Sequence, residues 1–105
     1  MIIESLLPRP IGSDAVNEQV TLKNRGSVTL SMAGWVLRDD NGKIWKLSSL
    51  GDLNPGESKT IRRNGMAMRL KDGGDTVSLI SPDGAKKDEF QYQSSQEGVL
   101  ISTGH

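Results

Sequence analysis

The chain has 105 residues, no cysteine, one histidine, and thirteen basic side chains balanced by thirteen acidic ones. That balance supplies no global field for a polyanion or an anionic membrane surface, and the missing cysteines exclude disulfides, thiolate metal sites and cysteine nucleophiles. With its single histidine at position 105, most triad and metal chemistry lacks its usual participant, and a chain this short buries one core.

Ile2, Ile3, Leu6 and Leu7 form an apolar opening that Pro8 and Pro10 stop. Glu4 and the lack of a basic start make this a poor signal peptide and a good first strand. A strand that begins at the first residue is the pattern of one module of a longer polypeptide. No apolar run approaches the roughly 20 residues that span a bilayer as a helix. Residues 8–17 are rich in breakers and read as a loop. From Glu18 to Asn24 the chain alternates, with Val20 and Leu22 on one face and Gln19, Thr21 and Lys23 on the other, the period of a half-buried strand. A turn follows at 24–27, and Val28, Leu30 and Met32 continue the alternation to Gly34.

Residues 32–47 read as a hairpin with a tryptophan in each arm. Trp35 and Leu37 share one parity, Trp45 stands in the second arm, and Asn41-Gly42 between them suits a type I′ turn. Aromatic content is only 4%, and each indole can bury roughly 150–250 Å², so these two rings are expected to floor the core.

Pro55-Gly56 suits a type II turn. Ser58–Arg63 is a short strand carrying basic and hydroxyl side chains, and Asn64-Gly65 can turn the chain again. Met66, Met68 and Leu70 alternate with Ala67, Arg69 and Lys71, which fits a strand or an extended loop better than a helix. After a turn at 72–75, a strand over 76–81 points Val77 and Leu79 inward. A turn at 82–84 leads to a strand over 86–93 with Asp88, Phe90 and Tyr92 on one side. From Ser94 the chain is polar apart from Val99–Ile101, so 94–105 reads as a flexible tail that either frays or adds a terminal strand, with His105 hanging free.

No stretch keeps a 3.6-residue apolar period long enough for a helix, and turn signals recur about every 8–12 residues, the spacing of an antiparallel sandwich or barrel. The expectation is therefore one all-β domain over 1–105 with seven to nine strands. Its predicted core is Trp35, Leu37, Trp45, Val20, Leu22, Val77, Leu79, Phe90 and Tyr92.

Several segments resemble, in order and spacing, the lamin-tail domain. They are Leu7 to Glu18, Val20 to Asn24, Ala33 to Asp39, Leu53 to Glu57, Gly73 to Leu79 and Asp88 to Tyr92. The most specific pieces are the loop from Pro10 to Glu18 and the Gly34-Trp35 step followed by Leu37 and Asp39. The resemblance implies an immunoglobulin-like antiparallel β-sandwich, which in animals forms the globular part of nuclear lamin tails. In bacteria, similar domains are appended to secreted or surface proteins, nucleases and other hydrolases, and the Asp14 to Glu18 loop looks like that branch. The family has no shared catalytic residues. It implies Trp35 and Leu37 in the core, a close backbone approach at Gly34, and Asp14, Glu18 and Asn24 tying the first loop to its neighbours.

The chemistry on offer is thin. Asp14, Glu18 and Asp39, with Asp40 and Asp75, are the candidates for a cation site, since Ca²⁺ takes about six to eight oxygen ligands. Asp39 to Gly42 keeps only the tail of a calcium-loop pattern and lacks the bidentate glutamate, so Asx turns and loop caps are the favoured reading. Asp39 and Asp40 are adjacent, and a strand sends them to opposite faces, which disfavours paired acid/base work. No cofactor is expected, and no enzyme. Lys59, Arg62, Arg63, Arg69 and Lys71 are the candidates for phosphate contact, joined by Lys86 and Lys87. Asp72, Asp75 and Asp83 dilute them, and no stacking aromatic accompanies them. A mixed-charge solvated face is favoured, and Lys59, Arg62, Lys86 and Lys87 also suit the blunting of sheet edges. The functional expectation is a non-catalytic interaction or targeting module that tethers a larger protein through a protein or surface partner. The alternative is an accessory domain that holds nucleic acid for a nuclease or other hydrolase.

Overall fold

In a computed structural model, which describes residues 1–105 apart from the side chain of Asp14, the period-2 segments become strands and every strand pairs antiparallel. Ten strands form: β1 (Ile2–Leu7), β2 (Gln19–Lys23), β3 (Leu30–Ser31), β4 (Val36–Arg38), β5 (Ile44–Lys46), β6 (Asp52–Leu53), β7 (Ser58–Arg62), β8 (Asp75–Ile80), β9 (Lys86–Tyr92) and β10 (Ile101–Ser102). The count exceeds the expected seven to nine because β3, β6 and β10 are pairings of only two residues each. One sheet runs β10-β1-β2-β7, a second β5-β4-β8-β9, and β3 and β6 pair by themselves. This is an all-β, immunoglobulin-like sandwich.

The core lies between the two large sheets. Ile3, Leu6, Val20, Leu22 and Ile61 come from one, and Leu37, Trp45, Val77, Leu79 and Tyr92 from the other, all buried. Trp35, one residue before β4, joins them, while Phe90 is only partly buried and packs at the rim. In β1 the inward residues Ile3 and Leu6 are three apart, which alternation forbids. The register with β2 slips between Ile3 and Ser5, leaving Glu4 as the extra residue of a bulge that resets the parity.

Turn chemistry decides the connections. Asn41-Gly42 does not form the expected type I′ turn, because only Gly42 has positive φ (81°). The carboxylate of Asp39 accepts from Asn41 N at 3.0 Å and Lys43 N at 2.9 Å, and Gly42 N bonds Asp39 O. The result is a three-residue loop ending in a left-handed glycine. The dipeptide with both residues at positive φ is Asn64-Gly65 (45° and 82°), closed by Met66 N to Arg63 O at 2.8 Å. Asn54 to Glu57 makes the type II turn expected of Pro55-Gly56, with Glu57 N bonded to Asn54 O.

One further expectation is corrected. Residues 8–17 are not all loop: Asp14–Asn17 form a single helical turn, in which Asn17 N bonds Ser13 O at 2.9 Å. One turn is too short to show a 3.6-residue period. Of the two alternatives for the 94–105 segment, the terminal strand forms: β10 pairs with β1, Ser5 opposite Ser102 and Leu6 opposite Ile101.

Met66 to Leu70 form no strand, yet Met68 and Leu70 are fully buried. Trp45 explains this: its ring is fully buried, and its Nε1 donates to Met68 O at 2.7 Å. Trp45→Ala removes both the largest core side chain and that donor, and is expected to cost about 3–5 kcal/mol, read as a fall in the urea midpoint. Trp35→Ala, at a ring still 8% exposed, should fall at or below the lower end of that range.

Candidate functional site

The expected cation ligands do not converge. The side chain of Asp14 lies outside what the structure describes. Glu18 is fully buried, and its Oε1 accepts from Leu70 N at 3.1 Å and lies 3.5 Å from the Arg63 guanidinium. Asp39 spends its carboxylate on the hairpin amides described above. Among the described residues, no three His, Asp or Glu side chains gather as a metal cluster. Asn24, also fully buried, is satisfied on every side: Nδ2 donates to Val28 O and Leu53 O, Oδ1 accepts from Gly26 N, and its backbone bonds Glu57 O and Gly56 N.

The basic candidates divide in the same way. Lys59 Nζ is held by Leu50 O at 3.0 Å and Asp52 O at 2.8 Å. Arg63 Nε donates to Met66 O, and its Nη1 faces Glu18. Arg62, Arg69 and Lys71 are exposed. Lys71 lines a polar cleft of about 340 Å³ with Asp40, Asp75, Thr76 and Tyr92, so two carboxylates share its surroundings. The strands that carry the expected edge charges are indeed edges, β7 of one sheet and β9 of the other. On β9, Lys86 lies 2.6 Å from Glu89, and that contact, with the Ser78 hydroxyl, holds the Glu89 carboxyl below its ordinary value.

In the polar cleft, Tyr92 donates its hydroxyl to Lys71 O at 2.6 Å. Burial, reinforced by the Asp75, Glu18 and Asp72 carboxylates, pushes the phenol well above its ordinary value, so it stays a neutral donor. Asp75 accepts from Thr76 N at 2.8 Å and Lys71 N at 3.4 Å. Burial nevertheless outweighs those bonds and raises its pKa above 3.8. The cleft's donors and acceptors are thus largely occupied by the backbone that forms it.

A different place, missed in the sequence, brings side chains from four segments together. On the flank of β1 opposite β2, Ile101–Ser102 pair as β10 and the chain continues to His105 with Gly104 at a positive φ of 76°, residues 101, 103 and 105 half-buried and 102 and 104 exposed. Ile101 packs on the core. Thr103 N donates to Glu4 O at 3.0 Å, and its hydroxyl to Ile3 O at 2.7 Å. His105 places Nδ1 2.8 Å from Asp88 Oδ2 and stands edge-on to Phe90, ring centroids 5.7 Å apart. The same Asp88 oxygen accepts from Ile3 N at 2.8 Å, and the Arg25 guanidinium donates to the carbonyl of His105. His105 is therefore not a free end, because a carboxylate, a guanidinium and a ring edge meet it. A recess of about 510 Å³ borders this strand, lined by Glu4, Arg25, Leu100 and His105 among others. The sequence signal was the apolar run Val99–Ile101, which offers a terminal strand but does not say what Thr103 and His105 would meet. No helix of the described residues is long and apolar enough to cross a membrane.

Against known proteins, the family model Lamin Tail Domain matches residues 1–94. No curated protein matches the chain.

Two variants probe the cleft. Gly74→Ala would bring Cβ within 2.8 Å of Tyr92 O and 3.0 Å of Gln93 Cα at a φ of 124°, and is expected to cost about 1–3 kcal/mol in chemical unfolding. For Asp75 the folded protein holds the proton above 3.8, so ionisation opposes folding and stability from this group falls as pH rises through that window. Asp75→Asn removes the loss. Its stability relative to wild type should therefore climb between about pH 3 and about pH 7, measured by urea unfolding at a series of pH values.

Proposed function

Because the chain belongs to the lamin tail domain family, we propose that it serves as a non-catalytic interaction module that tethers or positions a larger protein by contact with a protein or surface partner. The observation that carries this reading is the occupation of its reactive groups. Glu18, Asp39 and Asp75 each accept backbone N–H bonds, and Lys59 and Arg63 donate to backbone carbonyls. Such side chains maintain a shape and have little left for a substrate.

What remains available is surface. Ile11, Val99 and Leu100 are 77%, 47% and 57% exposed, and Ile11 reaches the 98–100 segment, since a Cβ on Gly98 would come within 3.2 Å of its side chain. Scattered exposed apolar residues are ordinary, but adjacent ones beside a sheet edge suit a partner's contact. The recess beside them is lined by Glu4, Arg25, Ser102 and His105 with the apolar Leu100, a mixture of charge and apolar surface that suits a polypeptide better than a polyanion.

A salt titration against duplex DNA tests this reading. Any residual association should change little with salt, because Lys59 and Arg63 are held by backbone carbonyls and Lys71 shares its cleft with the carboxylates of Asp40 and Asp75. Each neutralised phosphate contributes a log–log slope of about −0.9. A slope steeper than about −2 would instead establish the nucleic-acid role and direct attention to Arg62, Arg69 and Lys71.

A further inference from the structure

Residues 101–105 occupy the flank of β1 as a bound peptide would. Three features make the likeness specific. The contacts alternate, with Ile101, Thr103 and His105 half-buried and Ser102 and Gly104 exposed, beginning in the paired strand Ile101–Ser102 and reaching His105 through a left-handed Gly104 (φ 76°). Alternate side-chain fits beside main-chain pairing are how a strand added to a sheet edge is read. The bonds are of two kinds: main-chain pairing to β1, and side-chain fits at Ile3 O, Asp88 and Phe90. Every residue that builds the receiving surface, Ile3 to Leu6, Arg25, Asp88 and Phe90, lies within the family-matched span of 1–94, and the strand that fills it lies beyond.

We propose that the β1 flank, with Arg25, Asp88 and Phe90, is a strand-binding groove for an extended segment of a partner protein, and that this chain's own residues 101–105 fill it in cis. The segment it fits carries an apolar residue, a hydroxyl residue two positions on, and a hydrogen-bond-donating or basic side chain two further on. Charge complementarity selects this occupant. The Asp88 carboxylate accepts from the last of these side chains, and Arg25 takes the carbonyl beside it. The inference rests on the interaction-module reading and names its surface. A covalently attached strand competes at an effective concentration in the mM range, so a partner gains access only by displacing it.

The test uses the full chain and a fluorescein-labelled peptide, Val-Leu-Ile-Ser-Thr-Gly-His, read by anisotropy. The Thr103→Ala/His105→Ala double variant weakens the resident strand and leaves the groove intact. It should bind the peptide at least tenfold more tightly than wild type, and the gain should vanish when the peptide's own Thr and His are replaced by Ala. Should the double variant melt early, wild-type amide exchange decides: excess peptide should speed exchange at Thr103 N, now bonded to Glu4 O, and leave β8 unchanged. Equal affinity for both proteins, equal affinity for a scrambled peptide, or unaltered exchange overturns the groove. Concentration-dependent dimers of the double-variant chain in equilibrium sedimentation would assign it to a second copy and overturn the partner-protein reading. Each of these failures leaves the DNA salt titration, and with it the broader module reading, undisturbed.

Discussion

An indole N–H cannot enter a dry core without an acceptor, and much of this architecture follows from Trp45 meeting that demand at Met68 O. The acceptor comes from a segment with no sheet partner of its own. By fixing residue 68 beneath the ring, the bond carries Met68 and Leu70 into the core and leaves Lys71 to Asp75 draped over the end of the sandwich. There Tyr92 and Asp75 capture the backbone of Lys71. Glu18 secures the same segment from the other sheet through Leu70 N. One core ring and one buried carboxylate thus close the open end of two sheets over a loop of irregular backbone.

Strand periodicity was the most legible feature of the sequence. Val20 and Leu22, Val77 and Leu79, and the side of β9 bearing Tyr92 all face where alternation places them, because side-chain direction in a strand follows from backbone geometry alone. Bulges were not legible, since the extra Glu4 resets the parity of β1 only through its pairing with β2. The two Asn-Gly dipeptides show a further limit. Both permit positive φ at two positions, and only the context chooses: Asp39 accepts the Asn41 and Lys43 amides and holds that loop in another form, whereas Asn64 has no such neighbour and takes the type I′ geometry.

The candidate residues were legible as types and illegible as partners. A run of basic side chains looks like a phosphate surface until Lys59 and Arg63 are seen holding backbone carbonyls. A set of acids looks like a cation site until Glu18, Asp39 and Asp75 are found capping amides. Such residues do for loops what ladders do for strands, supplying bonds to backbone that no sheet can reach. The surface beside β1 escaped notice for the opposite reason. Its components, Arg25, Asp88, Phe90 and the 101–105 strand, lie up to 80 residues apart along the chain, and nothing local marks them as neighbours.

The adjacency of β1 and β10 has a mechanical consequence. Thr103, just past β10, lies beside Ile3, and the two strands run antiparallel, so tension applied through residues 1 and 105 acts across the rungs between them, which run perpendicular to the strands. Rungs loaded this way break singly and in succession, as a zipper opens, and not all together as they would in shear. Under stretch, residues 101–105 would peel first while the two main sheets stayed packed, so the chain could lengthen under a small load without its interior being wetted.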